Sequence, residues 1–160
     1  MKRFMMAIPC LALLSGLAFA QSSSQPRGWG YLFVAPGGTS GSGATTTLQA
    51  GAGGEGLFYK GLGAGAELGH LTPTGSFAVG FGIFSANASY HFGGKGKLVP
   101  FITGGYSLAF RGGTNSGGNF GGGIHYWFNH HAALRAEFRD HVFSNGFPHF
   151  YGFRIGVALH

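Results

Sequence analysis

The residues nearest to a known catalytic arrangement are a histidine and a serine close to the C terminus. His141 and Ser144 are separated by two residues. A histidine that removes the hydroxyl proton of a serine produces a nucleophile able to attack an acyl ester. Two intervening residues, however, place the pair on opposite faces of an ideal strand, and no acidic residue follows Asp140 to orient the histidine. We therefore predict that His141 is a polar residue at a strand end and that Ser144 begins a loop, with a catalytic pair as the alternative.

Charged residues form the second candidate site, because they recur with the spacing of one face of a strand. Arg135, Glu137 and Arg139 alternate with apolar residues at positions 134, 136 and 138. Successive strand side chains point to opposite faces, so one face is ionic and the other apolar. Other segments add charges in the same phase, and the predicted network consists of Glu67, Arg111, Arg135, Glu137, Arg139 and Arg154, with Glu55 as a further candidate. Buried charges are costly unless paired, so we predict a plug of paired side chains. A narrow ion path through the network is the alternative.

The sequence offers little for a metal, a cofactor or a nucleic acid. Eight histidines are present, but His130 and His131 are adjacent and the others are dispersed. They lack the short paired spacing of a zinc site. Without Lys2 and Arg3, eight of the ten Lys and Arg residues remain against four Asp and Glu, with no basic run. We predict no metal site, no cofactor and no nucleic-acid partner.

The N-terminal segment has the features of an export signal. Lys2 and Arg3 precede an apolar run, which ends in Ala18-Phe19-Ala20. A basic start, an apolar centre and an A-x-A site are typical of a secretory signal peptide. We therefore predict a signal peptide over residues 1–20, a short polar leader over residues 21–27 and one domain over residues 28–160. The only cysteine, Cys10, lies in the predicted signal.

Eight segments with strand periodicity must position the charged residues. The predicted strands cover residues 28–35, 45–54, 61–71, 76–92, 98–111, 119–128, 133–142 and 150–160. In the fourth strand the apolar residues change parity, which predicts a β-bulge near Phe84. Aromatic residues near strand ends are predicted to form two interfacial girdles: Trp29, Tyr90, Phe92, Tyr126, Phe128, Phe143 and Tyr151.

The composition favours lipid as the environment of the apolar faces. Only 9% of the residues are charged, whereas soluble domains have about 25%. An even number of antiparallel strands can close without leaving a backbone edge unpaired in hydrocarbon. We predict an all-β fold, an eight-stranded antiparallel up-and-down transmembrane β-barrel with both chain ends in the periplasm. A soluble lipocalin-like barrel, with its apolar faces inward, is the architectural alternative.

Two resemblances extend these predictions. The alternating segments LRAEFR at residues 134–139 and FRIGVAL at residues 153–159, together with the signal and the eight strands, resemble the small outer-membrane β-barrel proteins of the OmpA/OmpX-like group. That resemblance implies a bacterial outer-membrane location, contact with membrane lipid and lipopolysaccharide, insertion by the barrel assembly machinery and a monomeric state. Such proteins usually end in an aromatic residue, whereas this chain ends in Leu159-His160. His141 and Ser144 loosely resemble the His/Ser pair of outer-membrane lipid A deacylases.

The expected function is therefore that of a non-enzymatic outer-membrane barrel with a structural or surface-exposed role. A narrow porin-like channel is the first alternative. A lipid A deacylase-like hydrolase that uses His141 and Ser144 is the second.

Overall fold

The computed structural model describes residues 27–40, 44–75, 79–93, 96–144 and 148–160. Eight strands occupy most of this chain: β1 (Gly28–Thr39), β2 (Thr46–Tyr59), β3 (Leu62–Pro73), β4 (Phe81–His91), β5 (Leu98–Phe110), β6 (Thr114–Trp127), β7 (Ala132–Phe143) and β8 (Phe150–Leu159). The predicted signal peptide and residues 21–26 of the predicted leader lie outside the described residues. Over the part of the chain that is described, we find no helix with the length and apolar character needed to cross a membrane.

The strands form one closed barrel in which each strand is antiparallel to the next. Closure comes from β1 and β8, which pair from Gly30 opposite Leu159 to Thr39 opposite Phe150. No strand therefore leaves a backbone edge open, which is the condition for crossing hydrocarbon. The predicted eight-stranded antiparallel barrel is confirmed. We call the end where β1 begins and β8 ends the terminal end, and the opposite end the distal end.

Alternation along each strand separates an apolar exterior from a polar lumen. In β8, the side chains of Phe153 and Ile155 are 62% and 54% exposed, whereas Arg154 between them is 2% exposed. The same rule places Leu134 and Phe138 outside and Arg135 and Glu137 inside. Six charged side chains are thus enclosed and large apolar side chains cover the exterior, the reverse of a lipocalin-like arrangement.

The predicted β-bulge near Phe84 is wrong, because β4 is regular there. Its pairing with β3 runs without a shift from Leu62 opposite Tyr90 to Leu71 opposite Phe81. The apolar parity change has a different cause, because Ile83 faces the lumen and is only 1% exposed. The register shift found in the β2–β3 ladder lies instead between Leu57 and Tyr59. Residues 76–78, where the predicted strand begins, lie outside the described residues.

Two predicted girdle residues face the lumen instead of the exterior. Trp29 and Phe143 are 6% exposed and belong to the apolar clusters inside the barrel. Their positions share the inward phase of β1 and β7, and an apolar side chain suits a closed lumen end as well as a lipid interface. The other five members are exposed on the barrel surface: Tyr90, Phe92, Tyr126, Phe128 and Tyr151.

Several strands are longer than predicted. β1 continues to Thr39, β2 continues to Tyr59, and β6 begins at Thr114 within a segment predicted as a loop. Glycine, serine and threonine dominate the extensions of β1 and β6, which is why these two resemble loops in sequence. Pairing with a neighbouring strand satisfies their backbone groups and overrides that local preference.

Candidate functional site: the charged lumen

Six charged side chains form one continuous chain through the lumen. Glutamates and arginines alternate along it, and all six are at most 8% exposed. The order of contact is Glu55, Arg135, Glu137, Arg139, Glu67 and Arg154. The nitrogen-to-oxygen distances are 3.1 Å for Glu55–Arg135, 2.9 Å for Arg135–Glu137, 3.4 Å for Arg139–Glu67 and 2.8 Å for Arg154–Glu67. Three negative and three positive groups therefore balance, and each has a partner of opposite charge.

Neutral polar groups complete the coordination of this network. Arg154 donates to Gln49 Oε1 at 3.1 Å, and Arg139 donates to Asn119 Oδ1 at 3.0 Å. Tyr31 donates its hydroxyl to Glu67 at 3.1 Å. Further hydrogen bonds to Glu55 come from the hydroxyl of Ser89 and, at 2.6 Å, involve the ring of His91. Such bonds are needed because buried ions repay their desolvation only when their remaining hydrogen-bonding capacity is also used.

Four strands supply the charges, and glycines on the flanking strands make room for them. β7 contributes Arg135, Glu137 and Arg139, while β2, β3 and β8 contribute one charge each. In the ladders, a glycine lies opposite most of these residues: Gly65 opposite Glu55, Gly53 opposite Glu67, Gly156 opposite Arg135, Gly123 opposite Glu137, and Gly121 and Gly152 opposite Arg139. The lumen of an eight-stranded barrel is just wide enough for side chains to fill it. Large residues on β7 therefore require small ones beside them.

Aromatic rings hold the guanidinium groups from the side. The Arg135 guanidinium carbon lies 4.5 Å from the ring centre of Tyr31 and 4.3 Å from that of Phe101. Arg154 lies 4.4 Å from the ring centre of Phe33. Arginine combines an ion pair with stacking on a ring face in a way that lysine does not.

Both ends of the lumen are filled by apolar and aromatic side chains. Toward the terminal end, Trp29 packs edge-on against Trp127 and His125 at centroid distances of 5.9 and 5.4 Å. Toward the distal end, a cluster consists of Leu71, Ile83, Ala109, Phe143 and Phe150, with Phe81 packed against it. A cavity beside the network has a volume of about 10 Å³, which is the lower limit for a single water molecule. Apolar and aromatic side chains thus lie on both sides of the charged network.

Arg111 does not belong to the network, and its predicted place in the lumen is corrected. Its side chain is exposed, and Nη1 donates to the carbonyl oxygen of Val79 at 2.6 Å. Arg111 follows the last residue of β5, so strand alternation no longer fixes its direction. The other five predicted network residues are brought together in the lumen, with Glu55 as the sixth.

Both ring nitrogens of His141 contact lumen residues other than Ser144. Its Nε2 lies 3.0 Å from Arg154 Nη2 and its Nδ1 lies 3.0 Å from Ser107 Oγ. Because a guanidinium can only donate, Nε2 is the acceptor, and the ring proton belongs on Nδ1 and is donated to Ser107. Ser144 follows β7 and is exposed, whereas His141 is 2% exposed. The structure thus does not bring His141 and Ser144 together.

Several polar residues that line the lumen were not part of the network predicted from the sequence. His91, His125, Gln49 and Asn119 are buried beside the charged chain, and Arg135 Nη1 lies 3.1 Å from His125 Nε2. Their inward strand phase is the signal that could have indicated them, although it does not reveal which charge each one contacts. Within the described residues, no three His, Cys, Asp or Glu side chains are grouped as metal ligands.

No protein-family model matches the chain, and no curated protein sequence matches it either. Solved structures of small outer-membrane barrels do superimpose on it. Neisserial surface protein A has a TM-score of 0.68 at 16% identity, covering 86% of this chain and 99% of its own. The N-terminal β-barrel domain of Pseudomonas aeruginosa OprF has a TM-score of 0.59 at 16% identity, covering 82% and 98%. Ail, the attachment invasion locus protein of Yersinia pestis, has a TM-score of 0.55 at 10% identity, covering 85% and 99%. The chain therefore has the fold of the small eight-stranded outer-membrane β-barrels.

Proposed function

We propose that this protein is an integral outer-membrane β-barrel with a structural or surface-exposed role and a lumen that does not conduct. The observation that carries the proposal is the charge-balanced chain from Glu55 to Arg154. An ion path lined by charged side chains needs groups that remain free to meet a passing ion, whereas these six groups are paired with one another. The apolar clusters toward the two ends of the barrel also help to close the lumen.

The exterior supports the membrane location. Large apolar residues occupy outward positions on every strand. Examples are Leu32 on β1, at 65% exposure, and Ile102 on β5, at 54%. A water-soluble protein rarely exposes a continuous apolar surface of this extent. With lipid around the barrel, the working surface of the protein is reduced to its two ends. Two of the proteins that superimpose on the chain are named as a surface protein and an attachment protein, which agrees with a surface-exposed role.

The first test is electrophoretic mobility of the outer-membrane fraction with and without boiling. A closed barrel stays folded in cold detergent and migrates differently from its unfolded chain, so we expect a heat-dependent shift in that fraction. Protein in the soluble periplasm that shows no shift would contradict the membrane location and make an internal apolar ligand the next question.

The second test is conductance of the purified barrel in planar lipid bilayers. We expect no discrete conductance steps from the wild type, because paired side chains fill the lumen. Steps that change in size with Arg135→Ala or Glu137→Ala, but not with the exterior change Asp140→Asn, would overturn the closed-lumen proposal and establish the channel.

The third test is mass spectrometry of lipid A from cells that express the protein. We expect lipid A to keep all its acyl chains. Loss of a chain that Ser144→Ala restores would establish a hydrolase.

A further inference from the structure

Basic side chains outside the lumen are concentrated at the terminal end of the barrel. Four Lys and Arg residues are described outside the lumen, and three of them are exposed at this end: Arg27, Lys60 and Lys97. All four acidic residues of the chain lie elsewhere. Three are buried in the lumen network, and Asp140 lies toward the distal end of β7. No exposed Asp or Glu side chain therefore lies beside the cations at the terminal end.

These cations belong to one continuous ring, which we call the terminal rim. Hydrogen bonds join each segment of the rim to the next around the barrel. They run from Leu57 N to Arg27 O at 2.6 Å, from His91 N to Gly61 O at 2.8 Å, from Trp127 N to Lys97 O at 2.7 Å and from His160 N to His131 O at 2.9 Å, and His160 Nδ1 lies 2.8 Å from Gly28 O. Arg27, Lys60 and Lys97 are thus spread along the part of the perimeter from β1 to the β4–β5 turn, and histidines occupy the remainder of the described rim at His130, His131 and His160.

A belt of exposed aromatic side chains lies directly beside the rim. It consists of Phe58, Tyr59, Tyr90, Phe92, Tyr126 and Phe128, each at least 39% exposed. Aromatic residues of membrane barrels occupy the headgroup level of the bilayer. The Lys60 ammonium lies 5.2 Å from the ring centre of Tyr59, which holds this cation at the same level. The rim charges are therefore at the depth of lipid phosphates.

We propose that the terminal rim selectively binds the headgroups of anionic phospholipids in the inner leaflet. The proposal rests on the outer-membrane location proposed above. A lipid leaflet follows the curve of the barrel and can contact all three cations between β1 and the β4–β5 turn at the same depth, whereas a peptidoglycan strand or a protein would have to bend around the barrel to contact them all. The distal end lacks this arrangement, because Arg111 is the one Lys or Arg described outside the lumen there and Asp140 is at the same end.

The test is electron paramagnetic resonance of spin-labelled phosphatidylglycerol and spin-labelled phosphatidylcholine with the barrel reconstituted in phosphatidylcholine vesicles. We expect the wild type to prefer phosphatidylglycerol at low salt, with the preference falling as salt screens the rim. In the variant Lys60→Gln/Lys97→Gln the preference should fall, at most by about fivefold for each lysine removed. The matched variant Lys60→Arg/Lys97→Arg should retain it, and Arg111→Gln should change it far less.

An unchanged preference in the double glutamine variant, or its loss in the double arginine variant, would overturn the proposal. The proposal would also be overturned if the barrel showed no lipid preference but sedimented with peptidoglycan sacculi in a manner that depended on the two lysines. Heat-dependent mobility is measured for every variant. A wild type with no mobility shift would refute the barrel in the membrane, whereas a shifted wild type with no lipid preference would refute only the terminal rim.

Discussion

Glu137 stands between two arginines and is the residue on which the lumen network depends most. It accepts from Arg135 at 2.9 Å and pairs with Arg139 on its other side. Without its charge, the two guanidiniums would still contact Glu55 and Glu67, but the buried network would carry one unbalanced positive charge. An uncompensated charge in such a site is more costly than the complete absence of the pair.

Glu137→Gln should therefore lower the free energy of unfolding by about 3 kcal/mol. The measurement is a urea titration of the barrel folded in lipid vesicles, followed by the heat-dependent mobility of the folded fraction. Asp140→Asn is the control, because the only ion pair described for Asp140 is a partly exposed contact of 3.9 Å with His149. Its loss should cost less than about 1 kcal/mol. Equal urea midpoints for the two variants would contradict the role assigned to Glu137.

At the scale of the strand, β6 shows how glycine permits the packing of β7. Gly121 and Gly123 lie opposite Arg139 and Glu137 in the β6–β7 ladder. A Cβ atom on Gly123 would lie 2.8 Å from the Glu137 Cα and closer still to the Ala136 carbonyl oxygen. Backbone atoms cannot rotate away, so any side chain at position 123 must push the two strands apart. The glycine content is thus a requirement of the crowded lumen.

We expect Gly123→Ala to destabilise the barrel by about 1–3 kcal/mol, the usual cost of overpacking. Gly113→Ala is the matched control, because a Cβ atom there would meet no atom within 4 Å. The control should remain within about 0.5 kcal/mol of the wild type. Urea midpoints of both variants in the same vesicles provide the comparison, and a neutral Gly123→Ala would show that the strands can separate at no cost.

At the scale of the whole molecule, the inversion of polarity is the property that distinguishes this barrel from a soluble one. Ile155 lies midway along β8, is 54% exposed, and is paired with Val34 and Ala136. The three side chains form part of an apolar surface around a charged interior. Such a surface is stable only where the surroundings are as apolar as the side chains themselves.

Ile155→Arg should cost about 2–4 kcal/mol in a bilayer, the range for arginine at the midplane of a membrane barrel. Thr114→Arg, at the exposed beginning of β6, should cost no more than about 1 kcal/mol, because it lies near the membrane interface. Unfolding in vesicles is again the measurement. A soluble barrel would tolerate both arginines, so a small and equal effect would contradict a lipid environment for this face.

The charged residues of the site could be recognised from sequence because their spacing is local. Residues Arg135, Glu137 and Arg139 share one face whatever the rest of the chain does, since the strand period is two. Arg111 could not be placed in this way, because it lies beyond the end of β5. The contact between Glu55 and Arg135 spans 80 positions in the sequence, and no local pattern encodes it.

The sequence by itself determined the number of strands, the two faces of most of them and the charges that share one face, because alternation is a property of adjacent residues. Only the tertiary structure decided which apolar residues face lipid and which close the lumen. Ile83 and Trp29 are inside while Phe84 and Leu32 are outside, although all four are apolar. Apolar side chains suit either environment, so their direction is fixed by closure of the barrel through β1 and β8 and not by their own chemistry.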